Sequence, residues 1–296
     1  MFEPEFLAAY WTLAGDVVPL EESELSPFSF QDRVKAAADA GYSGLGLIHA
    51  DLVHQGKLLG YSTMKAILQD HGLKHLELEF LTDWFADGER KRQSDALKRD
   101  LFEAAAALGA RHIKLGGDFW GNPWPTSHLA ETFRQTCDQA KDYGVMLVLE
   151  PQPWTNVRTI DLGLEIVSQA AATNGGLLLD IWHVARGGNA YTDILKIPPH
   201  FIRAVELDDA MNNPVGTLWD DTIHHRELCG EGELNPPAFL KCLEEIGYQG
   251  PYGIEIISKT HRTRALAEAA ELSIESALCQ FPPSQPVIQL KRRKET

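Results

Sequence analysis

Four carboxylates, Glu150, Asp180, Glu206 and Glu255, each lie at or near the end of a short run of Val, Ile and Leu. Such runs read as buried strands. If those strands are neighbours in a closed sheet, about 4.8 Å apart, their ends bring the four carboxylates around one spot. Four like charges in a half-buried place repel. A divalent cation resolves the conflict, and all-oxygen ligation suits a hard ion such as Mg²⁺ or Mn²⁺. His183 follows Asp180 by three residues and can orient a substrate oxygen or a ligand carboxylate. The chemistry such a centre offers is proton transfer beside a carbonyl, with a positioned base and a Lewis acid to stabilise the enediolate. Returning the proton on the other face epimerises, returning it at the neighbouring carbon isomerises, and expelling a β-hydroxyl makes a dehydratase. The ligand set alone does not choose among these.

The elements that must position these residues alternate along the chain. Strands are expected at 6–13 and at SGLGLIHA (43–50), KHLELEFL (74–81), RHIKLGG (111–117), VMLVLEP (145–151), GLLLDIWH (176–183), FIRAVELDD (201–209) and YGIEII (252–257). Helical stretches rich in Ala, Leu, Glu and Lys separate them. Ser29 suits the N-cap of the first helix and Gly41 its C-terminal stop; the next is expected at 62–71. Eight β/α units imply a parallel sheet closed into a (β/α)8 TIM barrel, with a doubly wound open sheet as the alternative. A phosphate-binding GxGxxG after the first strand is absent, which weighs against a dinucleotide fold. No domain boundary is visible, so residues 1–280 read as one barrel and 281–296 as a C-terminal tail, basic at Lys291, Arg292, Arg293 and Lys294. Two long connections, GDFWGNPWP and 208–234, leave strand C-termini, where barrel active sites sit, and read as lids.

Bulk properties bound the function. The 296 residues suit one barrel, which needs about 250. A net charge of −15 repels phosphate backbones, so nucleic acid is excluded as a partner. The sequence has no apolar run long enough for a membrane helix and begins unlike a signal peptide, so a cytoplasmic enzyme without membrane partners is expected. The four cysteines form no CxxC pair and read as reduced thiols, some of them buried.

The stretches LVLEPQP, LLLDIWH, VELDD and GEGELNPPAFLKCLEEIGYQGPYGIEI resemble the sugar phosphate isomerase/epimerase superfamily, the xylose isomerase-like barrels. The resemblance covers about residues 6–278. It implies that Glu150 and Glu255 are metal ligands that double as an acid/base pair on opposite faces of the substrate. It further implies that Asp180 is a third ligand, that His183 binds or polarises the substrate, and that Arg226 holds a substrate oxygen. The usual fourth ligand, a histidine, is replaced here by Glu206. Four ionised ligands then face one dication, which implies a hard metal, Mn²⁺ first with Mg²⁺ or Co²⁺ as alternatives, or one carboxyl kept protonated.

The implied activity is a metal-dependent isomerase or epimerase acting on a sugar, ketose or keto-polyol. The rival is a lyase eliminating from an inosose, dehydroshikimate or 3-keto-sugar on the same site. A trinuclear-zinc endonuclease of the same superfamily would need more strand-end histidines and a basic face, and a non-catalytic barrel fits poorly with intact Glu150, Asp180 and Glu255. Relatives are commonly dimers or tetramers, and the sequence leaves a homo-oligomer open. Weaker candidates are His49 as a substrate contact, Lys114 projecting into the barrel, and Trp84, Phe85, Trp120, Trp124 and Trp154 as walls of a sugar site. Asp208 and Asp209 read as loop or cap residues, and His224 and His225 as solvated.

Overall fold

The computed structural model describes residues 3–282. The basic stretch Lys291–Lys294 lies outside them, as does nearly all of the expected tail. Eight parallel strands form one closed barrel in chain order. They are β1 (Phe6–Ala8), β2 (Gly44–Ile48), β3 (His75–Leu81), β4 (His112–Leu115), β5 (Met146–Leu149), β6 (Gly175–Asp180), β7 (Ile202–Leu207) and β8 (Tyr252–Ile254). Closure is made by β1 on β8, with Phe6, Leu7 and Ala8 opposite Tyr252, Gly253 and Ile254. The open-sheet alternative is thereby excluded. Among the described residues no helix is long and apolar enough to cross a membrane.

Local chemistry sets the element ends. Ser29 caps the helix Phe30–Ala40 by accepting the Asp32 N–H at 3.1 Å, and Gly41 ends it in the left-handed region at φ 102°. That is the stop a glycine provides without a Cβ penalty. Two expectations need correction. The run 6–13 is not one strand: β1 stops at Ala8, and Tyr10–Leu13 folds into a single helical turn over the barrel mouth. A continuous apolar run does not by itself separate strand from buried helix. Likewise β2 stops at Ile48, and His49 opens an unexpected helix, His49–Leu59, ahead of the expected one at Tyr61–Asp70. Within the long connection 208–234, Leu218–His224 forms a helix whose capping box pairs Thr217 with Asp220.

The main core lies between barrel and helices. The barrel interior is divided. Val148, Leu178 and Ala204 form a separate small apolar cluster. Each precedes a site carboxylate, Glu150, Asp180 or Glu206, by two residues, the spacing that keeps side chains on one face of a strand. Elsewhere inside the barrel Glu77 and Glu79 of β3 and His112 and Lys114 of β4 are buried, as is Glu206 of β7. Gly253 makes room for this polar half: a Cβ there would sit 2.7 Å from Glu206 Cγ. Three of the four cysteines are buried and all are unpaired, as expected.

Candidate active site

Glu150 directly follows β5, Asp180 ends β6 and Glu255 directly follows β8, all three buried. Asp180 also caps the short helix Ile181–Arg186, its Oδ1 accepting the His183 N–H at 3.0 Å. The His183 ring nitrogen Nε2 lies 3.4 Å from Glu150 Oε1. Glu150, Asp180, His183 and Glu255 each offer one donor atom, and the four lie within 4.8 Å of one another. Gln152 donates to Glu150 Oε2 at 2.8 Å and fixes that carboxyl. Burial, then the neighbouring Glu255, pushes Glu150 well above the usual carboxyl range. Burial and the Arg226 charge hold His183 well below its usual value, so it is neutral at neutral pH.

Two buried cations organise the surrounding acids. Arg226 Nη1 donates to Asp180 Oδ2 and Asp208 Oδ2, both at 2.6 Å, and lies 3.1 Å from Glu255 Oε2. Nε and Nη2 donate to Thr222, and Nη2 lies 3.3 Å from His183 Nε2. Burial opposes the guanidinium charge, but Asp180, Asp208 and Glu255 outweigh it. Lys114 projects into the barrel. Its Nζ is 3.1 Å from Glu255 Oε1, 3.3 Å from Glu77 Oε1 and 3.5 Å from Glu79 Oε2, and it pairs directly with Glu206. Burial again opposes this charge and is overcome by Glu206 and Glu255.

Glu206 stands apart from the four-donor group. It pairs in register with Asp180 and Gly253, which puts it two residues deeper than Glu255 on the adjacent strand, roughly 6–7 Å along it. Burial and Glu255 raise its carboxyl well above the usual range, with Lys114 opposing. Asp208 lies in the connection directly after β7, as expected of a loop residue, and is fully buried against Arg226. Asp209 is a loop organiser as expected: its carboxylate accepts the backbone N–H groups of Ala210, Gly230 and Leu234.

A cavity of about 420 Å³ is lined by three of the four donors, Glu150, His183 and Glu255. His49 reaches its rim, paired with Asp100 at 2.9 Å. Of the five aromatics picked from the sequence, Trp120 and Trp154 line the cavity, whereas Trp84, Phe85 and Trp124 pack among themselves and against Phe133 and His128. His224 is half-buried, its Nδ1 3.0 Å from an Arg262 nitrogen, rather than freely solvated. Glu79 was missed. It lines the cavity, accepts the Tyr10 N–H at 3.3 Å, and burial raises its carboxyl to about 8. The signal was present in LELEF, where Glu77 and Glu79 alternate on one face of an otherwise apolar strand.

Known proteins resemble this chain to different extents. An inosose isomerase of Halalkalibacterium halodurans is 30% identical over 141 residues, 47% of this chain and 49% of that protein. A 3-dehydroshikimate dehydratase of Pseudomonas aeruginosa is 27% identical over 247 residues, 80% of this chain and 38% of that protein. The chain thus spans half or less of the length of these curated relatives. Among solved structures, the IOLI protein with a bound zinc atom superposes with a TM-score of 0.81 at 19% identity, covering 93% of this chain and 97% of that one. A D-allulose 3-epimerase from Methylomonas sp. superposes at 0.70 with 19% identity, over 95% and 99% of the two chains. These likenesses bear on the fold. The family profile described as xylose isomerase-like TIM barrel matches residues 34–276, and the chain belongs to that family.

Proposed function

We propose that the chain is a divalent-metal-dependent isomerase or epimerase acting on a sugar, ketose or keto-polyol. The observation that carries this reading is the group Glu150, Asp180, His183 and Glu255, four donors within 4.8 Å of one another, of which Glu150, His183 and Glu255 line a substrate-sized cavity. These residues fit a cation on two grounds. Glu150 Oε1 is buried without a hydrogen-bond partner. In addition, among the described residues Glu77, Glu79, Glu150, Asp180, Glu206, Asp208 and Glu255 are buried together against two fixed cations, Lys114 and Arg226. A further dication relieves that imbalance. Glu150, Asp180 and Glu255 would hold it, with His183 as fourth donor, while Glu206 serves Lys114 as counter-ion. Oxygen donors outnumber nitrogen, which favours Mn²⁺, with Mg²⁺ or Co²⁺ as alternatives; the zinc in the IOLI structure supports a divalent ion in this fold. When bound, such an ion polarises a substrate carbonyl as a Lewis acid.

The chain's own residues supply the proton steps. Glu150 and Glu255 reach the floor from different strands, so one removes a proton from the carbon beside the carbonyl and the other returns it. Gln152 keeps the Glu150 carboxyl in one orientation. Glu79, its carboxyl held above the usual range by burial, faces a substrate oxygen from the β3 side. Trp11, Trp154 and Trp219 wall off water. Elimination is the second reading, favoured by the dehydratase relative that aligns with 80% of this chain.

The test combines metal analysis with solvent exchange. Wild-type protein is expected to hold one divalent ion, to lose it in Glu150→Gln and to keep it in Glu206→Gln. In D₂O, ketoses, inososes and 3-keto-sugars are screened by NMR for deuterium entering beside the carbonyl, an exchange that Glu255→Gln abolishes. A wild-type chain that binds no divalent ion overturns the reading; an absorbing, unsaturated product selects elimination.

A further inference from the structure

The helix Leu218–His224 sends Trp219, Thr222 and Ile223 to the cavity wall. Asp221, in the midst of these three, does not line the cavity and is 1% exposed. Both of its oxygens are engaged. Oδ1 accepts the Val215 N–H at 2.7 Å, and Oδ2 accepts Trp182 Nε1–H at 3.0 Å and Arg186 Nε–H at 2.9 Å. Trp182 and Arg186 belong to the helix Ile181–Arg186, which also carries His183. Arg186 extends the tie through its outer nitrogens, which donate to the carbonyls of Asn212 and Met211 at 2.9 and 2.7 Å. One buried carboxylate therefore joins the long connection after β7 to the short helix after β6.

These contacts close a ring around Arg226. Thr222, the residue after Asp221, accepts from Arg226 Nε at 3.3 Å and from Nη2 at 3.0 Å. The Arg226 guanidinium carbon lies over the Trp182 indole, 5.2 Å from the ring centroid, within cation–π range. Asp221 thus fixes both supports of the guanidinium: the indole beneath it and the helix that presents its hydroxyl acceptor. Arg226 in turn lines the cavity and reaches Asp180 and Glu255. A buried carboxylate is costly unless every lone pair it presents is matched. What it supplies in return is direction. A planar fork acts only where it is aimed, and supporting hydrogen bonds hold that aim.

We propose that Asp221 is a positioning residue: from outside the cavity it sets the orientation of the Arg226 guanidinium, acting through Trp182 and Thr222. The catalytic consequence rests on the isomerase reading. The orientation itself needs neither metal nor substrate, so it can be read without them.

The test is NMR of the full, chelator-treated chain labelled with ¹⁵N-arginine and ¹⁵N-tryptophan. The Arg226 Nε–H and Trp182 Nε1–H signals are assigned by their loss in Arg226→Lys and Trp182→Phe. Asp221→Ala is compared with Asp220→Ala, which weakens the same helix by removing its capping box but leaves the Trp182 contact in place. Asp221→Ala is expected to shift both signals or lose them to solvent exchange, and Asp220→Ala to leave them where they are. Asp221→Asn, which keeps one acceptor oxygen, decides the matter if the alanine variant does not fold, and is expected to shift the Arg226 signal less but in the same direction. An Arg226 signal that stays put in the Asp221 variants, or moves as far in Asp220→Ala, overturns the proposal. On a ketose that passes the D₂O screen, Asp221→Ala is expected to lower kcat/KM about tenfold or more, the usual cost of removing a supporting partner, and Asp220→Ala to leave it unchanged. A moved Arg226 signal in a chain that binds no divalent ion and exchanges no ketose sinks the isomerase reading alone. An unmoved signal in a chain that does both sinks the positioning role alone.

Discussion

Lys114 is the residue on which the barrel interior most depends. Its ammonium group is buried among Glu206, Glu255, Glu77 and Glu79, and no solvent reaches it to substitute. Lys114→Met keeps most of the stem but deletes the charge. Breaking a buried ion pair from one side costs about 3–5 kcal/mol, because the remaining charge stays buried without compensation. Several carboxylates lose their partner here, so the upper end applies unless some protonate. In a chain of this size that is a fall in Tm of roughly 6–15 °C. The assay is urea unfolding of chelator-treated protein at pH 7.5 for wild type, Lys114→Met, Glu206→Gln and the double variant. The double variant is expected to recover part of the loss, with a coupling of about 1–3 kcal/mol. The pH dependence has a definite sign. Glu79 and Glu206 already lie above the ordinary carboxyl value, and loss of Lys114, which lowers both, raises them further. A carboxyl raised in the folded state contributes stability below its unfolded value and loses it as pH rises through its folded value. The gap between Lys114→Met and wild type must therefore narrow as pH falls toward about 4.5. A single variant within about 1 kcal/mol of wild type at pH 7.5, or a gap that widens in acid, refutes the reasoning.

Three further outcomes can be checked. Glu79 has a folded value of about 8 against an ordinary 4.5, so metal-free protein should lose stability as pH rises between those values. Glu79→Gln should flatten that slope in chemical denaturation measured at stepped pH. Gly253→Ala pushes a methyl to 2.7 Å from Glu206 Cγ and should cost about 1–3 kcal/mol in urea unfolding. Asp209→Ala leaves the Gly230 and Leu234 N–H groups without their carboxylate, at a cost of about 2–4 kcal/mol. Limited proteolysis should then cut near exposed Met211 and Val215 well before the rest of the barrel.

How much of this was legible beforehand depended on which geometry each residue obeys. Glu150, Asp180 and Glu255 close apolar runs, and a strand end is visible in one sequence. Glu206 closes a similar run, yet its depth depends on the stagger between β7 and β8, which no single strand records. Lys114 could be placed inside the barrel by alternation, but not its four acidic neighbours, because these come from three other strands. Arg226 was found through the resemblance. Its full commitment to Asp180, Asp208 and Thr222 emerges only when the connection 208–234 folds back. The one-turn helix Tyr10–Leu13 hid in a run that reads equally as strand, and it brings Trp11 into the cavity wall.

The cluster around Lys114 also bears on whether half of this barrel can exist alone. Glu77, Glu79 and Lys114 belong to β3 and β4, whereas Glu206 and Glu255 belong to the β7–β8 side. Severed between β4 and β5, the N-terminal fragment would carry an ammonium with two carboxylates, and the C-terminal one two carboxylates with no lysine to meet them. Neither fragment could seal its interior without stranding charge, and each holds what the other lacks. The two pieces should therefore be recovered as a reassembled pair when mixed, and as aggregates or open chains when kept apart.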